Sequence, residues 1–157
     1  MKVILTALGK PHDPTIKSAI DDYSNRIANY FDINWNIIPS PKNLSHLSMP
    51  EIKKKEGEAI LKSIQKEDFL VALDENGKQF NSLLFAKFLQ DKTNAGVRNM
   101  VFVIGGAFGL DDEIVKRANH NLSLSSFTFP HQLVRLILAE QIYRAATILR
   151  NEKYHHS

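Results

Sequence analysis

Met100-Val101-Phe102-Val103-Ile104-Gly105-Gly106-Ala107-Phe108-Gly109-Leu110 is the stretch that decides the fold. Five consecutive apolar residues, rich in β-branched and aromatic side chains, read as a strand buried on both faces, which is the signature of a parallel sheet covered by helices. The glycines that follow let backbone approach a ligand closely or take φ > 0. Their spacing is not the Gly-x-Gly-x-x-Gly of dinucleotide sites, and no Walker lysine follows. A loop against a nucleotide-like ligand and a simple tight turn are both consistent with it.

Outward from this point the elements alternate. On the C-terminal side, 111–119 reads as a short helix with Asp111 as N-cap and Leu110 and Val115 spaced as a hydrophobic staple. Leu122 and Leu124 alternate with Ser123 and Ser125 as a strand, and a long helix is expected over about 130–150. On the N-terminal side, Phe69-Leu70-Val71-Ala72-Leu73 is a second fully buried strand, which Asp74-Glu75-Asn76-Gly77-Lys78 is expected to end as a turn before a helix over about 81–92. Further back lie a charged helix over about 50–66 and a loop marked by Pro39-Ser40-Pro41-Lys42-Asn43. Before these come Ile33, Trp35 and Ile37, which alternate with asparagines as in a near-edge strand. Asp13-Pro14 opens a helix carrying Ile16, Ala19, Ile20, Tyr23, Ile27 and Tyr30 on one stripe, and residues 2–8 form the first strand. Alternating strands and helices imply a single α/β domain with a mostly parallel sheet flanked by helices. Such sheets bind ligands beyond the carboxyl ends of their strands, here Leu73-Asp74, Ile104-Gly105-Gly106 and Ser125-Ser126.

Composition narrows the class. A chain of 157 residues, 43% apolar and 24% charged, suits one soluble globular domain. Cysteine is absent, which removes disulfides, thiolate metal sites and cysteine nucleophiles and agrees with a cytoplasmic setting. The N-terminus lacks signal-peptide features, and no apolar run approaches the roughly 20 residues of a membrane span. A net charge of +3 permits an RNA partner without requiring one. His12, His46, His120, His155 and His156 show no metal-ligand spacing, so no metal is expected.

Several residues carry candidate chemistry. Leu124-Ser125-Ser126-Phe127-Thr128-Phe129-Pro130-His131-Gln132 runs from a strand into a helix. Its backbone groups and hydroxyls suit an adenine edge and ribose, and the helix start suits an anion; an ordinary capped connection reads equally well. His131, in the first helical turn, is favoured as a neutral imidazole that can accept a proton. Arg135 falls on the apolar stripe of Leu138, Ala139, Ile142 and Ala146, where a guanidinium needs a partner: an interface carboxylate, an RNA phosphate or a ligand carboxylate. Glu140 and Arg144 form a favourable i,i+4 pair. The helix is apolar in so many directions that packing on both sides, at a dimer interface, is expected. Tyr154 can stack on a base, and His155 can contact phosphate or exchange a proton, against the alternative of a solvated tail.

In order and spacing, four features resemble the SPOUT class of RNA methyltransferases. They are Ile104-Gly105-Gly106-x-x-Gly109-Leu110, Leu124-Ser125-Ser126-x-Thr128-Phe129-Pro130-His131, Glu140-Gln141-x-Tyr143-Arg144 and the final Tyr154-His155. Within that class the likeness is to the family that methylates N3 of a pseudouridine in 23S rRNA of the assembled ribosome. Val134-Arg135 and Lys55-Glu56-Gly57 extend it along the whole chain. The resemblance implies a cytoplasmic homodimer with a C-terminal trefoil knot, the cofactor-binding knot region covering about 70–157. It implies S-adenosyl-L-methionine (AdoMet) as cofactor, held by Leu73, Gly105, Gly106, Ser125, Ser126, Phe127, Thr128, Phe129 and Pro130. His131, Arg135 and His155 are the catalytic candidates; Arg144, Tyr154 and His155 are the RNA-binding ones. Phe108 is bulky between the glycines and bears on the pocket wall. Two rival readings remain: a small-molecule nucleotide-binding enzyme, and a non-enzymatic ribosome-binding factor that uses the basic surface without a cofactor.

Overall fold

In the computed structural model, which describes residues 1–156, strands and helices alternate without exception. They are β1 (Lys2–Leu8), α1 (Pro14–Ile27), β2 (Asp32–Ile38), α2 (Met49–Leu61), β3 (Phe69–Gln79), α3 (Ser82–Asn94), β4 (Asn99–Ile104), α4 (Asp112–Arg117), β5 (His120–Ser123) and α5 (His131–Leu149). The five strands form one sheet in the order β2-β1-β4-β3-β5, with every pairing parallel. The buried run Met100–Ile104 lies at its centre, between β1 and β3.

Right-handed crossovers explain how the helices divide between the faces. The steps β1→β2 and β3→β4 move one way across the sheet, and their helices α1 and α3 share a face with α5 over Leu5, Val71, Phe102 and Ile104. The steps β2→β3 and β4→β5 move the other way, placing α2 and α4 on the opposite face over Leu70, Ala72, Val101 and Val103. Both faces of the central strands are therefore covered, which is why their sequences do not alternate. β2 is an edge strand whose Ile33, Trp35 and Ile37 pack on the core, as its alternation requires.

Local signals fix the helix starts. Asp13 accepts a hydrogen bond from the Thr15 N–H, with Pro14 opening α1, and Asp111 accepts from Glu113 N–H at α4. Ser48 and Glu51 form a capping box that starts α2 at Met49, and this helix stops at Leu61, short of the expected 66.

One expectation needs correction. Asp74–Lys78 does not end β3. Leu73 and Lys78 both pair with Leu122, so residues 74–77 loop out and the strand then resumes. Asn76 N–H donates to the Asp74 carboxylate at 2.7 Å, the Asx turn that the sequence signalled. Resumption depends on β5, whose backbone lies directly against Gly77. β5 itself ends at Ser123, so Leu124 and Ser125 belong to the following loop rather than to the strand.

Candidate active site

The loop-out within β3, the carboxyl end of β4 and the segment after β5 surround one cavity of about 820 Å³. This is within the roughly 300–1,000 Å³ of small-molecule sites. It is lined by Leu73–Asn76, Ile104–Leu110, Leu122–Ser125 and Phe127–His131, with Val134, Asp112 and Val115, and with Met49 and Lys53 contributed by α2. Of the nine expected cofactor residues, Leu73, Gly105, Gly106, Ser125, Phe127, Thr128, Phe129 and Pro130 all line it. Ser126 does not; its hydroxyl turns to Gln79, whose amide donates to it at 3.0 Å.

The glycine segment is both a tight turn and a wall. Gly109 takes φ +80° and its N–H donates to Gly106 C=O at 3.1 Å, closing the turn. A Cβ on Gly105 would lie 3.0 Å from the Gly109 carbonyl, so a side chain there would press on the turn. In the segment after β5, Ser123 Oγ donates to Ser125 C=O and Phe127 N–H donates to Ser125 Oγ, both at 3.0 Å, which folds the chain back toward the cavity. Helix α5 then begins at His131 with no side chain capping it, so its first N–H groups stay available at the cavity edge. Phe127 is 81% exposed and Phe108 43% exposed, two aromatic rings at the rim.

Charge in the cavity is mostly negative. Asp74, Glu75 and Asp112 face Lys53 and His131. Carboxylates favour a ligand bearing positive charge and oppose a polyphosphate.

His131 is the one catalytic candidate on the cavity wall. Arg135 is fully buried, and its guanidinium donates to Lys10 C=O at 2.9 Å and Leu8 C=O at 3.3 Å, with His12 Nδ1 3.4 Å away. Backbone carbonyls therefore supply the partner that the sequence left open among carboxylates and phosphates. Arg135 does not line the cavity; it holds the β1–α1 connection. Gln132 grips the same connection, accepting from Asp13 N–H at 3.0 Å and donating to Pro11 C=O at 3.1 Å.

The C-terminal candidates lie elsewhere. Arg144 pairs with Glu140 and sits 4.8 Å over the Tyr154 ring. Tyr154 donates to Glu140 Oε1 at 3.1 Å and meets the Tyr23 hydroxyl at 3.3 Å. Burial, the Tyr23 bond and the Glu140 charge push the Tyr154 phenol upward and keep it protonated. His155 is half-buried with Nδ1 lacking a partner. Tyr154 is thus folded onto α1 and α5 while Asn151, Glu152, Lys153 and His156 are exposed, and none of Arg144, Tyr154 and His155 lines the cavity of its own chain.

The sequence reading placed Leu73-Asp74 at the rim but missed Glu75 and Asn76, which looked like a plain turn, and Met49 and Lys53, whose i,i+4 spacing is the only local sign of a shared face. Among the described residues no cluster of potential metal ligands occurs and no helix is long and apolar enough to cross a membrane.

Comparison with known proteins converges on one family. A family profile described as "Predicted SPOUT methyltransferase" matches residues 1–155. Proteins named ribosomal RNA large subunit methyltransferase H are similar over nearly the whole length. The one from Flavobacterium johnsoniae is 48% identical over 156 residues, 99% of each chain. That from Christiangramia forsetii is 46% identical over the same share, and that from Trichlorobacter lovleyi 44% identical over 99% of this chain and 100% of its own.

Proposed function

The chain belongs to the SPOUT methyltransferase family, and from that membership we propose that it transfers a methyl group from AdoMet to N3 of a pseudouridine in 23S rRNA of the assembled ribosome, in the cytoplasm. The observation that carries the reading is the single cavity built from Leu73–Asn76, the glycine turn and Leu122–His131. Its volume suits a nucleoside joined to an amino acid. Its carboxylates suit a sulfonium and an ammonium, and oppose the phosphates that the rival nucleotide-binding reading requires.

The cofactor supplies an electrophilic methyl on sulfur. The chain's own residues do the rest. Ser125 and Phe127–Pro130 offer backbone groups to the adenine and ribose, while Leu73, Gly105 and Gly106 form the opposing wall. The open first turn of α5 suits the carboxylate of the amino-acid part. A productive complex holds acceptor nitrogen and methyl carbon roughly 3–3.5 Å apart. The imide N3 carries a proton that must leave, and His131, on the wall, is placed to take it or relay it to water.

Arg144, Tyr154 and His155 can serve RNA at this cavity only if a second copy brings them there. Leu133, 37% exposed on α5, with half-buried Leu136 and Ile137 beside it, is the surface we assign to that homodimer. The tail of one subunit would then complete the cavity of the other, with His155 as the alternative proton acceptor. The C-terminal region, about 70–157, holds the trefoil knot in this reading. Specificity for one nucleotide comes from the combined surface of the dimer and the ribosome.

Radiolabelled methyl transfer to ribosomes, to isolated subunits and to bare rRNA tests the reading, with mapping of the modified base. Transfer on ribosomes to N3 of a single pseudouridine supports it. Ribosome binding without AdoMet binding points to the non-enzymatic factor and overturns the proposal, as does AdoMet binding without transfer to any of the three substrates.

A further inference from the structure

Helix α2 offers the cavity more than Met49 and Lys53. Glu56, three residues after Lys53 and seven after Met49, continues the same helical face. It is 8% exposed, among the most buried charged residues of the molecule, and sits one turn before buried Ile60. Its Oε2 has no hydrogen-bond partner, and among the described residues no cation pairs with it.

The location of this carboxyl is specific. A Cβ built on Gly106 would meet Glu56 Oε2 at 3.1 Å and Oε1 at 3.2 Å. The carboxyl therefore fills the space where any other residue at 106 would place its side chain. Gly106 lines the cavity on its other side, so one glycine's thickness separates Glu56 from a bound ligand. The next residue fixes the approach of α2: a Cβ on Gly57 would lie 2.7 Å from Asp111 Cβ, so the helix is seated against the start of α4.

A buried carboxyl without a partner is costly, and an apolar residue at 56 would be the cheaper choice for packing alone. Burial by itself pushes the Glu56 carboxyl above the usual range, which is what the missing countercharge leaves behind. A ligand carrying a fixed positive charge would provide that countercharge. Asp74, Glu75 and Asp112 also line the cavity, and Lys53 is the cation that α2 brings to it.

We propose that Glu56 is a positioning residue for the methyl donor: from behind the Gly105-Gly106 turn its carboxylate favours the cationic sulfonium over the uncharged thioether that remains after transfer. The inference rests on AdoMet being the donor. It gives the chain a means of holding substrate more tightly than product across a wall that neither molecule crosses.

The test is equilibrium binding of AdoMet and of S-adenosylhomocysteine, which differ at sulfur by one methyl and one charge, to the wild type and to Glu56→Gln. At an effective dielectric of about 20, two unit charges about 8 Å apart attract with an energy equivalent to roughly a thirtyfold preference. Glu56→Gln should therefore weaken AdoMet by about ten- to thirtyfold and leave S-adenosylhomocysteine within about twofold. Equal weakening of both ligands would make Glu56 a brace for the turn and overturn the proposal, as would no change in either. Gly106→Ala serves if Glu56→Gln does not fold. Its added methyl points at the Glu56 carboxyl rather than into the cavity, so it should weaken AdoMet more than S-adenosylhomocysteine. A wild type that binds neither ligand refutes the donor itself; a wild type that binds both, with their ratio unmoved in the variants, refutes only the role of Glu56.

Discussion

Gly77→Ala should unseat strand β5 and with it the loop that follows. A Cβ at position 77 would lie 2.7 Å from Asn121 C, Leu122 C and Leu122 N, all backbone atoms. Ordinary carbon contacts are about 3.5–4.0 Å, so something must move by about 1 Å. No flexible side chain can absorb that shift. β5 has four residues and pairs only with β3, so it is the element that gives way. Overpacking of this kind costs about 1–3 kcal/mol. The smaller entropy of an unfolded alanine offsets about 0.4–1 kcal/mol. A net loss of about 1–2 kcal/mol, at about 2–4 °C per kcal/mol for a domain of this size, lowers Tm by about 2–8 °C. Because β5 leads into Leu124–Pro130, AdoMet affinity should fall as well. Thermal melts and equilibrium binding measure both. Gly96→Ala is the control: Gly96 has φ +78° and nothing within 4 Å of a Cβ, so its cost is backbone strain of about 1 kcal/mol, remote from the cavity. Gly77→Ala melting with the wild type and binding AdoMet equally well would show that the β3–β5 contact is not the constraint described.

Other outcomes follow from the site and its surroundings. His131→Asn should leave AdoMet binding intact while slowing single-turnover methyl transfer by roughly 10²–10⁴-fold, the range of general acid–base catalysis, and a rate within twofold of wild type removes His131 as proton acceptor. Tyr154→Phe loses the bonds to Glu140 and Tyr23, at about 1 kcal/mol or less of stability. It should lower transfer to ribosomes without altering AdoMet affinity, and a parallel loss of donor binding would contradict the separation of the two sites. Burial, then Arg135, lowers the His12 pKa from 6.5, and burial, then Lys78 and Lys92, lowers that of His120. The unfolded chain therefore takes up these protons first, and stability falls as pH drops below about 6.5. The raised Glu56 carboxyl acts in the opposite sense, its contribution fading as pH rises above about 4.5. Tm measured from pH 7.5 down to pH 5.5 should decline in the wild type and flatten when His12→Asn and His120→Asn are combined.

The buried strands, the glycine turn and the segment Ser125–Pro130 were legible in the sequence because each has a local cause: apolar runs, absent side chains, hydroxyls before a helix. What was not legible depended on neighbours. Asp74-Asn76-Gly77 has the chemistry of a turn and makes one, yet only the backbone of β5 determines that the strand resumes at Lys78. Arg135 sits on an apolar stripe that announces a need for partners, but carbonyls of Leu8 and Lys10, more than 120 residues away in the chain, leave no trace in any periodicity. Glu56 looks like one more charge on a charged helix until the glycine that it packs against is known. The folded-back tail escaped for the same reason: Tyr23, Tyr143 and Glu140 come together only when α1 and α5 pack.

The first two turns of α5 touch two places at once. His131 and Val134 border the cavity, while Gln132 and Arg135, on the other side, hold Leu8 through Asp13 by four hydrogen bonds. A shift or rotation of this segment cannot serve one side and spare the other. The loop after β1 and the wall of the site are thus anchored to the same two helical turns, so the β1–α1 connection helps to set where that wall stands.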